Sequence, residues 1–322
     1  MKNKKLKGAI IAGGRGTRFE PISLTIPKAL LPICNKPIVI HQIEYLKELG
    51  IEEVFIVVGY LKEQIIRNLG DGSQFGIRIT YVTQEKPEGS GHAVGLLEQY
   101  IDSNFVLFLG DISIRIKRLF KYVRHIYRAH RENITLLACK MEEDLHRLRQ
   151  NFVIILDKDQ QVRAVIEKPD QPPGMLKGCG VYLFTPEIFK AIRNTPRSGK
   201  RNEYELTNAI QTLIKMGRPV FPIEVIDWDV NISSAEELFR CNYLWFKDLH
   251  RDSHKSVYTE NLIGQYCKIN PHSQITNSII GDRVEIKNPI AIGYSIVFPN
   301  CVITSDKDMV NKIITPDCEL QI

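Results

Sequence analysis

The stretch IIAGGRGTRFEPISLTIPKALLP, residues 10–32, joins an apolar run to a turn that contains three glycines and two arginines. An apolar run that stops at glycines is typical of a buried strand leading into a turn at a sheet edge. Glycines let backbone N–H groups approach phosphate oxygens, and Arg18 and Lys28 add positive charge. No Gly-Lys-Ser/Thr follows, so the turn is not a P-loop, and Phe19 stands where a GxGxxG fingerprint needs its last glycine. The stretch therefore predicts an α/β protein with a polyphosphate at a strand end.

Length and composition indicate a globular protein with an anionic substrate. The chain has 322 residues, of which 43% are hydrophobic and 25% are charged, and its net charge is +6. This length suggests about two domains with a substantial core. The positive charge suits an anionic small molecule but is too small to indicate a nucleic-acid partner.

The cysteine pattern and the N-terminal segment indicate in which cellular compartment the protein is expected. The seven cysteines have no metal-type spacing and no even-numbered disulfide pattern, so we interpret them as reduced thiols. The apolar run Ala9–Ala12 is too short for a signal peptide, and no segment has the length of a membrane span. We expect a cytoplasmic protein without a membrane partner.

Strands and helices are predicted to alternate through the first 240 residues. The predicted strands are GAIIA (8–12), EVFIVVGY (53–60), IRITYV (77–82), NFVLFLGD (104–111), ITLLACK (134–140), FVIILD (152–157), VRAVIEKP (162–169) and GVYLF (180–184). The predicted helices are His41–Leu49, Lys62–Leu69, Gly91–Tyr100 and Asn208–Met216, the last with Thr207 as its N-cap. This alternation predicts a mostly parallel sheet with helices on both faces.

The basic segment Arg115–Asn133 has apolar residues at helical spacing, namely Leu119, Phe120, Val123, Ile126 and Tyr127. This pattern favours an amphipathic helix with a solvated basic face over a nucleic-acid site.

The C-terminal segment changes to a period of six residues. Isoleucines recur at 263, 269 and 275 and, after a slip of one residue, at 280, 286 and 292, followed by Phe298. A hexad of inward-pointing residues predicts a parallel β-helix with about eighteen residues per coil. The predicted domains are therefore a catalytic domain 1–240, a connecting helix 241–254 and a β-helix 255–322.

Several motifs together resemble the sugar-1-phosphate nucleotidylyltransferase family. They are GGRGTR (13–18) with Pro27-Lys28, TQEKPEGSGHAV (83–94), FLGD (108–111), IEKP (166–169), GVYLF (180–184) and DVN (229–231). Within the family the chain is most similar to the glucose-1-phosphate thymidylyltransferase group. The resemblance implies a Rossmann-like mixed sheet, a left-handed β-helix that forms a homo-oligomer, and the reaction of an NTP, dTTP or UTP, with a sugar-1-phosphate, favouring glucose-1-phosphate.

The resemblance also assigns roles around the phosphates. Arg18 stabilises charge on the transferring phosphates, and Lys28 holds the nucleotide. The surrounding backbone binds phosphate at Ala12, Gly13, Gly14, Gly16 and Thr17. The sugar phosphate is already an anionic nucleophile, so no general base is expected.

Two aspartates are candidate ligands for Mg²⁺. Asp111 follows an apolar strand, where parallel sheets place their ligands, and a carboxylate near a polyphosphate suits magnesium. The resemblance assigns the second ligand to Asp229, although Asp227 is a close neighbour.

The base and sugar positions complete the candidate site. The amide of Gln84 carries a donor and an acceptor and can read the imide edge of uracil or thymine, with Gly89 leaving room for the nucleoside. By resemblance, Glu167 binds sugar hydroxyls, Lys168 binds the sugar phosphate, and Gly180 lies against the sugar. The departure from the family is Gly178-Cys179, where relatives often carry a side chain that contacts the sugar. Glu203 is a weaker candidate for a sugar contact.

Three other functions stay open. A mannose-1-phosphate guanylyltransferase would share the fold but use GTP. A non-catalytic regulatory subunit would be expected to lose the charged residues that this chain keeps. An additional acyltransferase site in the β-helix would need a histidine, and His272 is the only one in that segment.

Overall fold

The structure is a computed structural model that describes residues 5–117, 119–199, 202–249 and 261–322. It divides into two compact units, Met1–Gly14 with Gln42–Asp229 and Arg15–His41 with Val230–Ile322. The segment that carries Arg18 and Lys28 therefore groups with the C-terminal part of the chain. The predicted boundary at residue 240 did not anticipate this grouping, and residues 250–260 of the predicted connecting helix and β-helix lie outside the described residues.

The strands before the C-terminal segment are short and largely apolar. In chain order they are β1 (Lys7–Ala12), β2 (Pro32–Ile33), β3 (Lys36–Pro37), β4 (Glu53–Val58), β5 (Arg78–Thr83), β6 (Phe105–Leu109), β7 (Ile112–Ile116), β8 (Thr135–Met141), β9 (Phe152–Leu156), β10 (Val162–Glu167), β11 (Leu176–Phe184), β12 (Val220–Glu224) and β13 (Ile226–Asn231). All eight predicted strands are present.

The helices are α1 (Ile22–Thr25), α2 (Ile38–Glu48), α3 (Lys62–Leu69), α4 (Ser90–Gly95), α5 (Leu119–Glu132), α6 (Leu145–Gln150), α7 (Glu187–Arg193), α8 (Leu206–Lys215) and α9 (Ala235–Leu249). Short 3₁₀ turns cover Thr17–Phe19, Lys28–Leu30, Ser73–Phe75 and Leu96–Gln99. None of the described helices has both the length and the hydropathy that crossing a bilayer would need.

The first unit is built on a mixed sheet in the order β10-β9-β11-β6-β1-β4-β5, in which β8 also pairs with β11 and β12 pairs with β8. Its centre is parallel, because β1 pairs in parallel with both β4 and β6, and β4 with β5. Strand β11 then pairs antiparallel with β6 and β8. The predicted mostly parallel sheet is confirmed, and the antiparallel strands make it mixed.

The central strands read as continuous apolar runs because helices cover both of their faces. Ile10 on β1 and Phe105 on β6 are fully buried, and the Phe105 ring packs against Phe184 and Phe189 with centroids 5.9 and 5.5 Å away. The side chains of Gln42 and Tyr45 on α2 donate to carbonyls at the end of β6 and within β7. This packing fixes the ends of the parallel strands, where the candidate site lies.

Helix α5 is amphipathic, as its pattern predicts. Tyr122, Ile126 and Ala129 are buried, whereas Lys121 and Arg128 face solvent. The solvated basic face is therefore confirmed for the part of the helix whose side chains are described.

One helix start differs from its prediction. Helix α8 begins at Leu206 with Glu205 as the residue before it, so Thr207 is not the N-cap. The Thr207 hydroxyl instead donates to the carboxylate of Glu167 at 2.7 Å. The N-cap prediction for Thr207 is therefore wrong, because its hydroxyl is used in a tertiary contact.

The C-terminal segment of the second unit is a parallel β-helix. Its strands are β14 (Leu262–Ile263), β15 (Lys268–Ile269), β16 (Gln274–Thr276), β17 (Ile279–Ile280), β18 (Glu285–Ile286), β19 (Ala291–Gly293), β20 (Ile296–Val297), β21 (Val302–Ile303), β22 (Met309–Val310), β23 (Lys312–Ile314) and β24 (Glu319–Gln321). Strand β24 folds back antiparallel on β23.

The coil of this β-helix has 17 residues rather than about eighteen. Ile263 pairs with Ile280, Ile280 with Val297, and Val297 with Ile314. The spacing along one coil is thus six, six and five, so the slip after Ile275 recurs in every coil. Val297, not Phe298, is the register equivalent of Ile280, because the five-residue step returns after Ile292, although Phe298 is also buried.

The second unit also anchors the segment 15–41. Asn242 on α9 accepts from the backbone N–H of Cys34 at 2.7 Å and donates to the carbonyl of Pro32 at 3.1 Å. Asn35 donates to the carbonyl of Ile280 in the β-helix at 2.8 Å. The chain after Lys28 is therefore tied to the C-terminal elements by buried and half-buried hydrogen bonds.

Candidate functional site

The candidate site of the first unit lies along the carboxyl ends of its parallel strands. Gly13 follows β1, Gln84 follows β5, and Asp111 follows β6 by one residue. Because β11 and β9 run antiparallel to their neighbours, Gly180 and the end of β10 at Glu167 come to the same edge. Ligands bind at this edge in open parallel sheets.

The glycine turn after β1 packs closely on its neighbours. A Cβ on Gly13 would lie 3.2 Å from the Gln84 side-chain oxygen and 3.4 Å from the backbone N of Gly59. A Cβ on Gly14 would meet nothing within 4 Å, and Gly14 is exposed, whereas Ala12 is buried. Gly13 thus allows close packing on Gln84, and Gly14 leaves its backbone open to a ligand.

In the second unit, the continuation of this turn holds the predicted phosphate-binding side chains. Gly16 has φ of 70°, and a Cβ there would lie 2.6 Å from Cε of Lys28. Only glycine tolerates both the conformation and the contact. Lys28 is 8% exposed, whereas Thr17 and Arg18 are exposed. Lys28 is therefore fixed beneath the turn, and Arg18 is free to reorient in solvent.

Gln84 is held by a residue that the sequence analysis missed. Its amide nitrogen lies 3.0 Å from His92 Nδ1 and donates to the carbonyl of Gly89 at 3.2 Å. Gln84 is 8% exposed, so these contacts fix the amide. Its oxygen then points toward Gly13 as a hydrogen-bond acceptor.

His92 belongs to a longer chain of contacts. Its Nε2 lies 3.6 Å from the Glu88 carboxylate, which pairs with Arg197. Arg197 stacks on the ring of Tyr204 at 4.6 Å, and its hydrogen bond holds the pKa of Glu88 below the usual range. The motif TQEKPEGSGHAV therefore orients Gln84 as well as supplying it.

Gly89 serves backbone packing. Its φ is 108°, and a Cβ would lie 2.5 Å from the carbonyl oxygen of Tyr204. The N–H of Tyr204 donates to the carbonyl of Glu88 at 2.8 Å. The close approach of the loop around Tyr204, on which Glu203 also lies, explains why this position is a glycine. That Gly89 also leaves room for the nucleoside stays a prediction.

Asp111 occupies a turn with well-defined supports. The side chain of Gln42 donates to the carbonyls of Leu109 and Ile112 at 2.8 and 2.9 Å, on either side of the turn. The N–H of Gly110 donates to the carbonyl of Ile11 on β1 at 2.8 Å. The half-buried carboxylate of Asp111 is thus carried on a rigid backbone.

Glu167 and Lys168 end strand β10. One carboxylate oxygen of Glu167 accepts from Thr207, and the other lies 3.5 Å from Nζ of Lys168. Lys168 has φ of 43°, and its N–H donates to the carbonyl of Asn151 at 2.9 Å. Because of this left-handed turn, the side chains of Glu167 and Lys168 lie next to each other at the edge of the sheet.

Gly180 and Gly178 accommodate bulky neighbours. Gly180 has φ of 67°, and a Cβ there would lie 2.4 Å from Cδ1 of Ile112. A Cβ on Gly178 would lie 1.8 Å from Cζ of Phe152. The ring of Phe152 therefore fills the space beside Gly178.

The prediction that Asp229 binds metal does not fit the contacts of this carboxylate. Its two oxygens lie 2.7 and 2.6 Å from Nζ of Lys177, and both side chains are 2% exposed. Among the described residues, no group of three or more potential ligands could hold a metal ion. Asp111 stays a candidate ligand, while Asp229 is already neutralised by a buried ammonium group.

The chain matches a family model and is similar to known proteins. Residues 7–240 match the model described as Nucleotidyl transferase. The chain is 31% identical to a glucose-1-phosphate thymidylyltransferase of Streptomyces antibioticus, covering 94% of this chain and 85% of that protein. It is 34% identical to the UTP–glucose-1-phosphate uridylyltransferase AglF of Haloferax volcanii, covering 72% and 93%.

A solved structure shares the fold of the first part of the chain. A UDP-glucose pyrophosphorylase complexed with UDP-glucose superposes with a TM-score of 0.65 at 26% identity, covering 76% of this chain and 100% of that one. The family model spans well over half of the chain. The protein therefore belongs to the nucleotidyl transferase family.

Proposed function

We propose that this protein transfers a nucleotidyl group from an NTP to a sugar-1-phosphate, releasing pyrophosphate and forming an NDP-sugar. The observation that carries the proposal is the row of groups at one sheet edge, with Gln84 at the end of β5 and Glu167–Lys168 at the end of β10. One end offers a fixed acceptor for a base, and the other offers a cation beside a carboxylate. A nucleotide with its base at the β5 end and a sugar phosphate at the β10 end would bring their phosphates together between these two ends.

The chemistry needs positioning and charge rather than a base. The sugar phosphate is an anion and attacks the α-phosphorus directly. Arg18 would stabilise charge on the transferring and leaving phosphates, Lys28 would hold the nucleotide, and Lys168 would hold the incoming phosphate. Members of this family generally use a divalent metal, and we propose Mg²⁺ with Asp111 as its protein ligand. When bound, it would screen repulsion between the phosphates.

The base specificity follows from the fixed amide of Gln84. Both donors of its nitrogen have partners within the protein, so the oxygen is the atom left to read a base. An acceptor fits the N3–H of uracil or thymine, and cytosine lacks this proton. We therefore propose dTTP or UTP as the nucleotide and glucose-1-phosphate as the sugar. Guanine also carries a ring N–H, which keeps guanylyl transfer as the second candidate.

The proposal is tested by pyrophosphate release with dTTP, UTP, GTP, ATP and CTP, each combined with glucose-, galactose-, mannose- and N-acetylglucosamine-1-phosphate. We expect the wild type to prefer dTTP or UTP over CTP by about 5- to 150-fold, the cost of about 1–3 kcal/mol for a buried mismatched polar group. Gln84→Leu should reduce the preference for dTTP or UTP over CTP, because the variant lacks the side-chain oxygen that accepts from the base.

Gln99→Leu is the matched control, since Gln99 is exposed at the next turn. It should keep the wild-type preference. A wild type that prefers ATP or GTP, or a Gln84→Leu variant with unchanged discrimination, would contradict the assigned base reader.

We propose that the β-helix mediates self-association. Val302 and Val310 lie on its strands and are 55% and 48% exposed, and Tyr294 is 51% exposed. Val310 pairs with Gly293, next to Tyr294, whereas Val302 lies on another sheet of the β-helix. Exposed apolar side chains often mark contacts between protein chains. A second copy of the chain would cover them.

We therefore expect the Val302→Glu/Val310→Glu variant to lower the mass measured by light scattering, because buried carboxylates oppose association. Lys307→Glu, an exposed charge change on the same β-helix, should leave the mass unaltered. A monomeric wild type would refute the proposed oligomer.

A further inference from the structure

A buried network of charges surrounds Asp229. Lys177 on β11 and Lys140 on β8 are cross-strand neighbours, and the ammonium groups of both reach this carboxylate. Nζ of Lys177 contacts both oxygens at 2.6 and 2.7 Å, whereas Nζ of Lys140 lies 3.6 Å from Oδ1. Lys177 thus makes two hydrogen bonds to Asp229, and Lys140 adds a second positive charge.

Glu142 extends the network. Its Oε2 lies 3.0 Å from Nζ of Lys140, 3.9 Å from Nζ of Lys177 and 3.8 Å from Nη1 of Arg147. Arg147 also pairs with Asp144, whose Oδ2 lies 3.3 Å from its Nε. Among the described residues, the network therefore joins three cations to three carboxylates and carries no net charge.

A divalent ion at Asp229 would meet two obstacles. It would have to displace the ammonium of Lys177 from both oxygens and leave that buried charge with only the more distant carboxylate of Glu142, 3.9 Å away, which is unfavourable. It would also lie close to Lys140 where little water screens the repulsion. Magnesium, which loses its water ligands reluctantly, gains too little from one carboxylate to offset this.

We propose that Lys177 is a built-in cation that takes the place of a metal ion at Asp229, so that metal binding at this sheet edge depends on Asp111 and not on Asp229. The proposal rests on the proposed function only for the identity of the substrates. Lys177 pairs with Val153 on β9, and the neighbouring Phe152 pairs with Glu167. These pairings place Lys177 close to the end of β10 that carries Glu167.

Direct Mn²⁺ binding tests the proposal without substrates or turnover. Free Mn²⁺ is titrated by electron paramagnetic resonance against the wild type, Asp229→Asn, Lys177→Met and the double variant. We expect the wild type and Asp229→Asn to have the same affinity. Lys177→Met should bind Mn²⁺ at least about tenfold more tightly, because Asp229 is released, and the double variant should lose this gain.

Lys140→Met is the matched control, since it removes a nearby half-buried ammonium that makes no hydrogen bond to Asp229. It should change affinity less than Lys177→Met does. A tenfold weaker affinity in Asp229→Asn, or no gain in a folded Lys177→Met, overturns the proposal. If Lys177→Met does not fold, as judged by circular dichroism, equal affinities of the wild type and Asp229→Asn support the proposal by themselves. A failed transferase assay would leave these binding results intact.

Discussion

Replacing Lys168 with alanine is expected to raise KM for the sugar-1-phosphate about 10- to 150-fold and to leave KM for the NTP nearly unchanged. A hydrogen bond to a charged group contributes about 1.5–3 kcal/mol, which corresponds to this range. Lys168 is anchored by its backbone bond to Asn151 and by its left-handed conformation at the end of β10. Initial rates of pyrophosphate release, with each substrate varied in turn, give the two constants.

Lys158→Ala provides the comparison, because Lys158 is an exposed lysine in the turn between β9 and β10. It should leave both constants unaltered. A raised KM for the NTP with an unchanged KM for the sugar phosphate would mean that the two sides of the site are assigned in reverse.

The fold of the first unit could be predicted because its strands are short apolar runs with turn residues after them. Glu53–Val58 and Phe105–Leu109 match their predicted strands within two residues at each end. The coil length of the β-helix was harder, because one five-residue step looked like a single slip at Ile275. Only the pairing of Ile280 with Val297 shows that this step recurs.

The grouping of residues 15–41 with the C-terminal part could not be read from local patterns. It depends on Asn242 and Asn35, whose amides bond to backbone groups far away in sequence. Asparagine in a helix or a turn gives no sequence signal for such a partner. Element types were therefore predictable, while the compact units were not.

In the candidate site, motif residues were predicted and their supports were missed. Gln84 was identified, but His92, which orients it, lies eight residues later in the same motif and drew no attention. Lys177 was missed because a lysine in a strand usually reaches solvent. Its position next to the apolar run GVYLF could have indicated a buried ion pair, since a lysine is buried almost only when it is paired.

The alanine substitution of Gly178 is expected to lower the free energy of unfolding by about 1–3 kcal/mol or more, the cost of overpacking a core. The new Cβ would lie 1.8 Å from Cζ of Phe152, inside the van der Waals radius of the ring. Phe152 is 6% exposed and packs on Tyr182 with ring centroids 6.2 Å apart, so it has little room to move. Urea unfolding measures the loss.

Two further variants attribute this loss to the ring. Gly174→Ala is the control, because a Cβ there would meet nothing within 4 Å, and its stability should stay close to that of the wild type. In a Phe152→Leu background, Gly178→Ala should cost much less, with a coupling of about 0.5–3 kcal/mol as for residues in contact. The same loss in both backgrounds would show that alanine meets something other than Phe152. Because Phe152 pairs with Glu167, a displaced ring should also raise KM for the sugar phosphate.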